Sequence, residues 1–180
     1  MAFDNVRDEV AVHIRSIKDF PKAGINFRDV MPLFQQPKLV DKMCRVIADY
    51  CKGKNIQAVA GLEARGFLFG PQVAILLDVP FVPIRKKGKL PGKCISASYV
   101  KEYGEDVVEI QEDAVKPGWR ILLVDDLLAT GGTLRAAIDL IKKAHCIVAE
   151  AFVLVELQSL KGREKVPEVD ITTLIAYPTE

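Results

Sequence analysis

The sequence predicts an α/β domain, with a central, mainly parallel β-sheet flanked by helices and a flexible hairpin arm inserted between two βα units. Three observations carry this reading. Short apolar runs alternate with helix-spaced apolar stripes along most of the chain. The run Arg120-Ile121-Leu122-Leu123-Val124 is apolar on both faces, as a strand inside a parallel sheet must be. Residues 85–112 interrupt the alternation with two β-like segments and no helical stripe.

The elements follow in order. Val6, Val10, Ile14 and Ile17 fall at helical spacing and predict a helix over residues 5–17. Phe20-Pro21-Lys22-Ala23-Gly24 breaks it. Pro37 suits the first turn of a second helix, which carries Leu39, Met43, Val46, Ile47 and Tyr50 and stops at Gly53. A strand over Gln57 to Gly61, a helix from about Gly66 to Leu77 and a strand over Phe81 to Ile84 come next. The arm then opens with a basic, Gly/Pro-punctuated loop, Arg85 to Lys93. Ile95–Tyr99 and Val107–Ile110 form its β-like legs, with Glu102-Tyr103-Gly104-Glu105-Asp106 between them. A long insertion of this kind in a compact α/β domain often serves as a lid. Lys116-Pro117-Gly118 turns the chain into the strand Arg120–Val124, with Trp119 expected to pack beside it. A helix stripe of Ala136, Ala137, Leu140 and Ile141 follows, then strands over Ile147–Val155 and Ile171–Ile175. There is no internal repeat and no Gly/Ser-rich linker. The 180 residues therefore read as one domain, 1–180, with an N-terminal segment of about 1–36 and a lid arm of about 95–112.

Composition narrows the function. The chain is 49% hydrophobic and 27% charged, the balance of a globular domain. Twenty-five basic against 24 acidic side chains leave a net charge of +1, so no nucleic-acid partner is expected. No apolar run is long enough to span a bilayer, and Asp4, Asp8 and Glu9 exclude a secretory h-region from the first residues. A cytoplasmic protein is expected, with no membrane partner and with reduced thiols. Cys44, Cys51, Cys94 and Cys146 show no C-x-x-C spacing, and only His13 and His145 could join them. They read as small buried hydrophobes rather than metal ligands.

The chemistry concentrates in Val124-Asp125-Asp126-Leu127-Leu128-Ala129-Thr130-Gly131-Gly132-Thr133. An apolar strand ends, two carboxylates follow, and a Thr-Gly-Gly-Thr turn opens a helix. In open parallel sheets ligands bind beyond the carboxyl ends of the strands. Glycines admit an anion to the backbone, and the helix start adds free N–H groups and a positive dipole end. The turn thus forms a cradle for a phosphate monoester. It is no Walker loop, because Phe67 stands where a lysine would follow Gly61-x4-Gly66, and no G-x-G-x-x-G occurs. Two carboxylates beside a phosphate site would repel it. They make sense facing vicinal hydroxyls, a cation or developing positive charge. A ribose 5-phosphate supplies the first, and a sugar losing an anomeric leaving group supplies the last.

On these residues, Ile121–Thr133 resembles the phosphoribosyl pyrophosphate motif of the type I phosphoribosyltransferases. Gly61–Gly70, Ile84–Gly92, Glu156–Arg163, Phe20-Pro21 and Gly24–Asp29 further resemble the adenine-using members of that family, over about Ile14 to Lys165. The resemblance implies a type I phosphoribosyltransferase-like fold. It also implies transfer of the 5-phosphoribosyl group from phosphoribosyl pyrophosphate to N9 of adenine, giving AMP and pyrophosphate, with Mg²⁺. Ala129, Thr130, Gly131, Gly132 and Thr133 would hold the 5-phosphate. Asp125 and Asp126 would meet the ribose hydroxyls and stabilise an oxocarbenium-like transition state. Leu62, Glu63, Ala64 and Arg65 would form a pyrophosphate loop, with Arg65 on the diphosphate, and related enzymes carry a strained peptide there. Lys86 and Lys89 would add charge, one of them across a homodimer interface. Glu102 would exchange a proton with a purine nitrogen, and Tyr103 would help close the site. Asn26, Phe27 and Arg28, with Leu157, would shape the adenine pocket. Mg²⁺ would be held mainly by substrate and water, without dedicated protein ligands.

The residues alone leave alternatives open: Arg65 paired with Glu63, the lysines as a solvated loop, Phe27 as core, Arg28 acting through its backbone, Glu105 in place of Glu102. A 6-oxopurine substrate and a non-catalytic donor-binding regulator are the competing functions. Lys101 beside Glu102 departs from close relatives that carry an apolar residue there.

Overall fold

The computed structural model describes residues 3–101 and 104–178. Helix α1 (Asp4–Ala11) leads into two short strands, β1 (Arg15–Lys18) and β2 (Asn26–Asp29), which pair antiparallel as a separate hairpin. A 3-10 turn over Met31–Gln35 precedes α2 (Pro37–Cys51), and β3 (Ala58–Leu62) follows. A 3-10 turn over Arg65–Leu68 leads to α3 (Gly70–Leu77), then β4 (Phe81–Lys86). The arm is β5 (Cys94–Lys101) and β6 (Gly104–Gln111). After it come β7 (Arg120–Leu128), α4 (Gly132–Lys143), β8 (Ile147–Leu157) and β9 (Ile171–Tyr177).

Seven strands form one sheet in the order β5-β6-β4-β3-β7-β8-β9. The pairs from β4 to β9 are parallel, and β6 and β5 extend that edge antiparallel. β7 lies between β3 and β8, which explains its two apolar faces. Ile121 and Leu123 point to the layer built with α4, while Leu122 and Val124 point to the layer built with α1, α2 and α3. All four are fully buried, and each such side chain is worth roughly 1.5–3 kcal/mol relative to exposure.

Three expectations are corrected. The first helix does not run to residue 17; it ends at Ala11. Val6 and Val10 are buried as the stripe requires, but Val12 beside them is 79% exposed. Ile14 and Ile17 leave the helix because Arg15–Lys18 finds a strand partner in Asn26–Asp29, reinforced by an Arg15–Asp29 ion pair of 2.5 Å. Tertiary pairing overrides a helical spacing that α1 cannot use. The central strand does not stop at Val124. It continues through both aspartates to Leu128, because β8 supplies partners that far: Asp125 faces Val153, Leu127 faces Val155 and Leu128 faces Glu156. The helix expected from Gly66 starts as a 3-10 turn and becomes α-helical only at Gly70, with Pro71 in its first turn.

The arm's root is part of the sheet. β6 pairs with β4 at Arg85↔Glu109 and Lys86↔Val108. The buried Glu109 accepts hydrogen bonds from Ser96 Oγ (3.0 Å) and the Gly88 N–H (2.9 Å), which ties the arm to the basic loop. Lys143 at the end of α4 donates to the Ser96 carbonyl (2.9 Å). Among the described residues, no helix is long and apolar enough to cross a membrane. All four cysteines are free thiols, and Cys44, Cys51 and Cys146 are buried. Burial pushes the Cys44 thiol up to about 12 and that of Cys51 to about 11, which leaves both inert at neutral pH.

Candidate active site

At the carboxyl end of β7 a cleft of about 260 Å³ is lined by Glu63, Ala64, Arg65, Asp125, Asp126 and the whole run Leu127–Leu134. A larger hollow of about 520 Å³ between α1 and the start of α2 holds Glu9, His13 and Lys42 and none of these groups. The chemistry sits in the smaller cleft.

The aspartates are held by the strand, not by a loop. Asp125 is half-buried and accepts the Asp126 N–H at its own Oδ1 (2.9 Å). Burial raises its pKa well above the ordinary carboxylate range, and the neighbouring charge of Asp126 raises it further. Asp126 is 4% exposed and pairs with the Arg65 guanidinium through Nε. Past Leu128 the chain turns through Ala129 and Thr130 to Gly131, whose φ of +79° is a left-handed conformation natural to glycine. α4 then begins at Gly132, so its unpaired N–H groups and dipole end open into the cleft. Thr133 Oγ1 donates to the Tyr99 hydroxyl (3.4 Å). A Cβ on Gly132 would come 3.4 Å from the Tyr99 ring. The arm therefore touches the cradle through Tyr99. Local sequence pattern gives no signal of this, because the contact spans 34 residues.

Opposite the cradle lies the loop Leu62–Arg65, which contains a cis peptide between Glu63 and Ala64. A Cβ on Gly66 would lie 2.5 Å from the Val124 carbonyl oxygen, so this loop presses directly on the β7 backbone. Glu63 does not pair with Arg65. It accepts from Arg85 Nε (3.1 Å) and Nη2 (3.4 Å) and from the Lys86 N–H (3.0 Å). Burial pushes the Glu63 carboxyl up, but the Arg85 and Lys86 bonds outweigh it and hold the group below its usual range. Glu63 thus fastens the loop to the end of β4, and Arg85, absent from the expected site residues, is its clamp.

Arg65 links two parts of the site. Beyond its bond to Asp126, its guanidinium lies 5.9 Å from the Phe27 ring. Phe27 in turn meets Phe20 edge-on at 5.1 Å. Asn26 accepts a hydrogen bond from Ser16. The Arg28 guanidinium stacks 4.0 Å over Tyr177, and its Nε is buried without a hydrogen-bond partner. Leu157, nearly buried at the end of β8, faces Tyr177 in register. Asn26, Phe27, Arg28 and Leu157 lie outside the cleft lining, and of these Phe27 meets it through its contact with Arg65. Lys86 and Lys89 are exposed. Lys86 Nζ is 3.8 Å from Asp106, and the Lys89 carbonyl accepts from Arg85 (3.2 Å). Glu102 and Tyr103 lie outside the described residues. Among the described residues no group of three or more His, Cys, Asp or Glu side chains is arranged to hold a metal ion.

The model of the phosphoribosyl transferase domain family matches residues 31–177. An adenine phosphoribosyltransferase of Caenorhabditis elegans is 66% identical over 177 residues, covering 97% of this chain and 96% of that protein. The crystal structure of adenine phosphoribosyltransferase from Saccharomyces cerevisiae, in complex with an imino-altritol bisphosphate and adenine, superposes with a TM-score of 0.90 at 40% identity, covering 94% of this chain and 98% of that one. The Trypanosoma brucei enzyme, in complex with AMP, pyrophosphate and ribose 5-phosphate, gives 0.86 at 28% identity, covering 95% and 79%. With the family model spanning most of the chain and relatives this similar over nearly its whole length, the chain belongs to the adenine phosphoribosyltransferase family of type I phosphoribosyltransferases.

Proposed function

We propose that the chain transfers the 5-phosphoribosyl group of phosphoribosyl pyrophosphate to N9 of adenine, releasing AMP and pyrophosphate in purine salvage. The observation that carries this reading is the cleft in which Asp125 and Asp126 run straight into the Ala129–Thr133 cradle. The cradle's N–H groups and the Thr130 and Thr133 hydroxyls suit a dianionic monoester. With the 5-phosphate there, the ribose lies over the aspartates. The C1–O bond breaks with its electron pair leaving on pyrophosphate, and N9 of adenine forms the new bond to C1. The carboxylates stabilise the positive charge that grows on the sugar. Asp126 keeps the Arg65 guanidinium beside the cleft, where it can exchange one carboxylate for the departing diphosphate. Glu102 takes the proton that the purine gives up, and Tyr103 helps shield the cation from water. Phe27 and Leu157 supply apolar walls for the base, with Asn26 and Arg28 at its edge. Lys86 and Lys89 add positive charge around the diphosphate.

The carboxylates of Glu63, Asp125 and Asp126 in the cleft lining fit Mg²⁺ bound chiefly through substrate oxygens and water. When bound, the ion neutralises the diphosphate as it leaves. The reading includes a homodimer, supported by Leu68 and Ile75, which stand 40% and 77% exposed on the segment after the Arg65 loop. It also includes a cytoplasmic setting, supported by four free thiols. Incubation with adenine, phosphoribosyl pyrophosphate and Mg²⁺ is expected to yield AMP and pyrophosphate in equal amounts. Faster turnover of hypoxanthine or guanine than of adenine, or donor binding with no product at all, would overturn the assignment. Light scattering is expected to give about twice the 19.9 kDa chain mass.

A further inference from the structure

The turn after β8 packs backbone to backbone against the cradle. A Cβ built on Gly131 would collide with the Gly162 carbonyl oxygen, and one on Gly162 would collide with the Ala129 carbonyl oxygen and lie 2.8 Å from Leu128 Cδ1. The two glycine backbones are therefore in direct contact, with no space for a side chain on either. Gly162 is buried, and Lys161 before it takes a left-handed φ of +52° that brings the turn back onto the cradle.

The next residue holds that turn in place. Arg163 forks onto both oxygens of Glu156, Nε to Oε1 at 2.7 Å and Nη2 to Oε2 at 2.8 Å. Its Nη1 donates to the Ile171 carbonyl (2.7 Å), and Nη2 also reaches Thr173 Oγ1 (2.9 Å). Thr173 Oγ1 donates to Glu156 Oε2 (2.9 Å). Glu156 is 4% exposed and faces Leu128, the residue before the cradle, in register on the neighbouring strand. Burial pushes its carboxyl up, but the bonds from Arg163 and Thr173 hold it below its ordinary range. The guanidinium is spent on its own chain, and its charge is matched by Glu156.

We propose that Gly162 and Arg163 are positioning residues for donor binding: Arg163 lashes the turn to β8 and β9, and Gly162 forms the rigid back wall that aims the N–H groups of Ala129–Gly131. The proposal rests on the reading of that cradle as the 5-phosphate site. Without the wall the cradle can relax outward, and a displacement of about 1 Å is enough to misalign hydrogen bonds to a phosphate.

The test uses the full chain in Mg²⁺ buffer with Gly162→Ala, Arg163→Ala and Arg163→Lys, and with Gly132→Val as a direct block of the cradle. Donor affinity is read by calorimetry without adenine, and KM for adenine by steady-state assay at saturating donor. Gly162→Ala is expected to weaken donor binding about tenfold or more while the adenine KM stays within about twofold. Arg163→Ala is expected to weaken it severalfold, and Arg163→Lys, which keeps one charged contact to Glu156, should recover part of that loss. Wild-type donor affinity in both Gly162→Ala and Arg163→Ala, with Gly132→Val defective, would overturn the proposal and leave the cradle reading intact. Wild-type affinity in Gly132→Val as well would overturn both. Equal losses toward donor and adenine would reduce the turn to general scaffolding and also overturn it. If Gly162→Ala fails to fold, the two Arg163 variants decide.

Discussion

Asp125 carries an electrostatic cost. Its carboxyl titrates above the ordinary range because burial and the Asp126 charge both disfavour ionisation. The folded chain thus holds this proton more tightly than the unfolded chain does. Stability is lost as pH rises from about 4, the unfolded value, through the raised folded value, and the loss is complete above it. Asp125→Asn removes that penalty. It is expected to raise the melting temperature by ~2–4 °C at neutral pH, with the gain vanishing below about pH 4, and to lower kcat by about 100-fold or more. Calorimetric scans across pH and a single-turnover assay check the two halves. Glu102→Gln should behave differently: kcat falls by about 100-fold while donor affinity stays at the wild-type level, because the lost group handles a proton and not the phosphate.

At the scale of elements, the strands and helices from residue 37 onward were legible in the sequence. Both-face apolar runs and helix stripes encode them directly, and Pro37, Gly53 and Lys116-Pro117-Gly118 punctuate them. Less legible was anything decided by a distant partner. The Val6–Ile17 spacing looked helical because periodicity is blind to Asn26–Asp29, the partner that turns Arg15–Lys18 into a strand. The extension of β7 through Asp125 and Asp126 was hidden because charged residues read as a strand end, whereas β8 keeps pairing to Leu128. A second such long-range lock fixes α2. Glu150, on β8 and 1% exposed, accepts from Lys54 (2.9 Å), Thr172 (2.5 Å) and Tyr50 (3.3 Å). Glu150→Ala strands these donors and is expected to cost about 2–3 kcal/mol in urea unfolding, toward the low end for a broken buried pair because Lys54 reaches water. Turnover of the folded variant should be unchanged, since the lock lies at the opposite end of β8 from the cleft.

For the molecule as a whole, the candidate site was visible where it is contiguous in sequence and hidden where it is assembled. Asp125 to Thr133 and Glu63 to Arg65 line one cleft as their motifs suggest. The partners chosen inside it were not readable: Arg65 takes Asp126, Glu63 takes Arg85, Thr133 takes Tyr99. Each joins residues at least 22 positions apart, beyond the reach of local pattern. Donor binding should be felt throughout this framework. At a donor concentration 100 times Kd, with Mg²⁺, global stability is expected to rise by about 2.7 kcal/mol. Chelation of the metal should abolish most of that gain together with AMP formation, read as loss of the thermal shift.

The contact between Gly66 and the Val124 carbonyl bears on how the site measures its substrate. Behind the Arg65–Asp126 pair, the loop expected to grip the leaving end of the donor and the strand expected to face its sugar abut main chain to main chain. The two backbones stand apart like the jaws of a calliper, with no side chain between them at Gly66 to repack. A donor with a longer or shorter bridge between sugar and leaving group is therefore expected to bind less well, because the packing of a turn against a strand sets the spacing it must span.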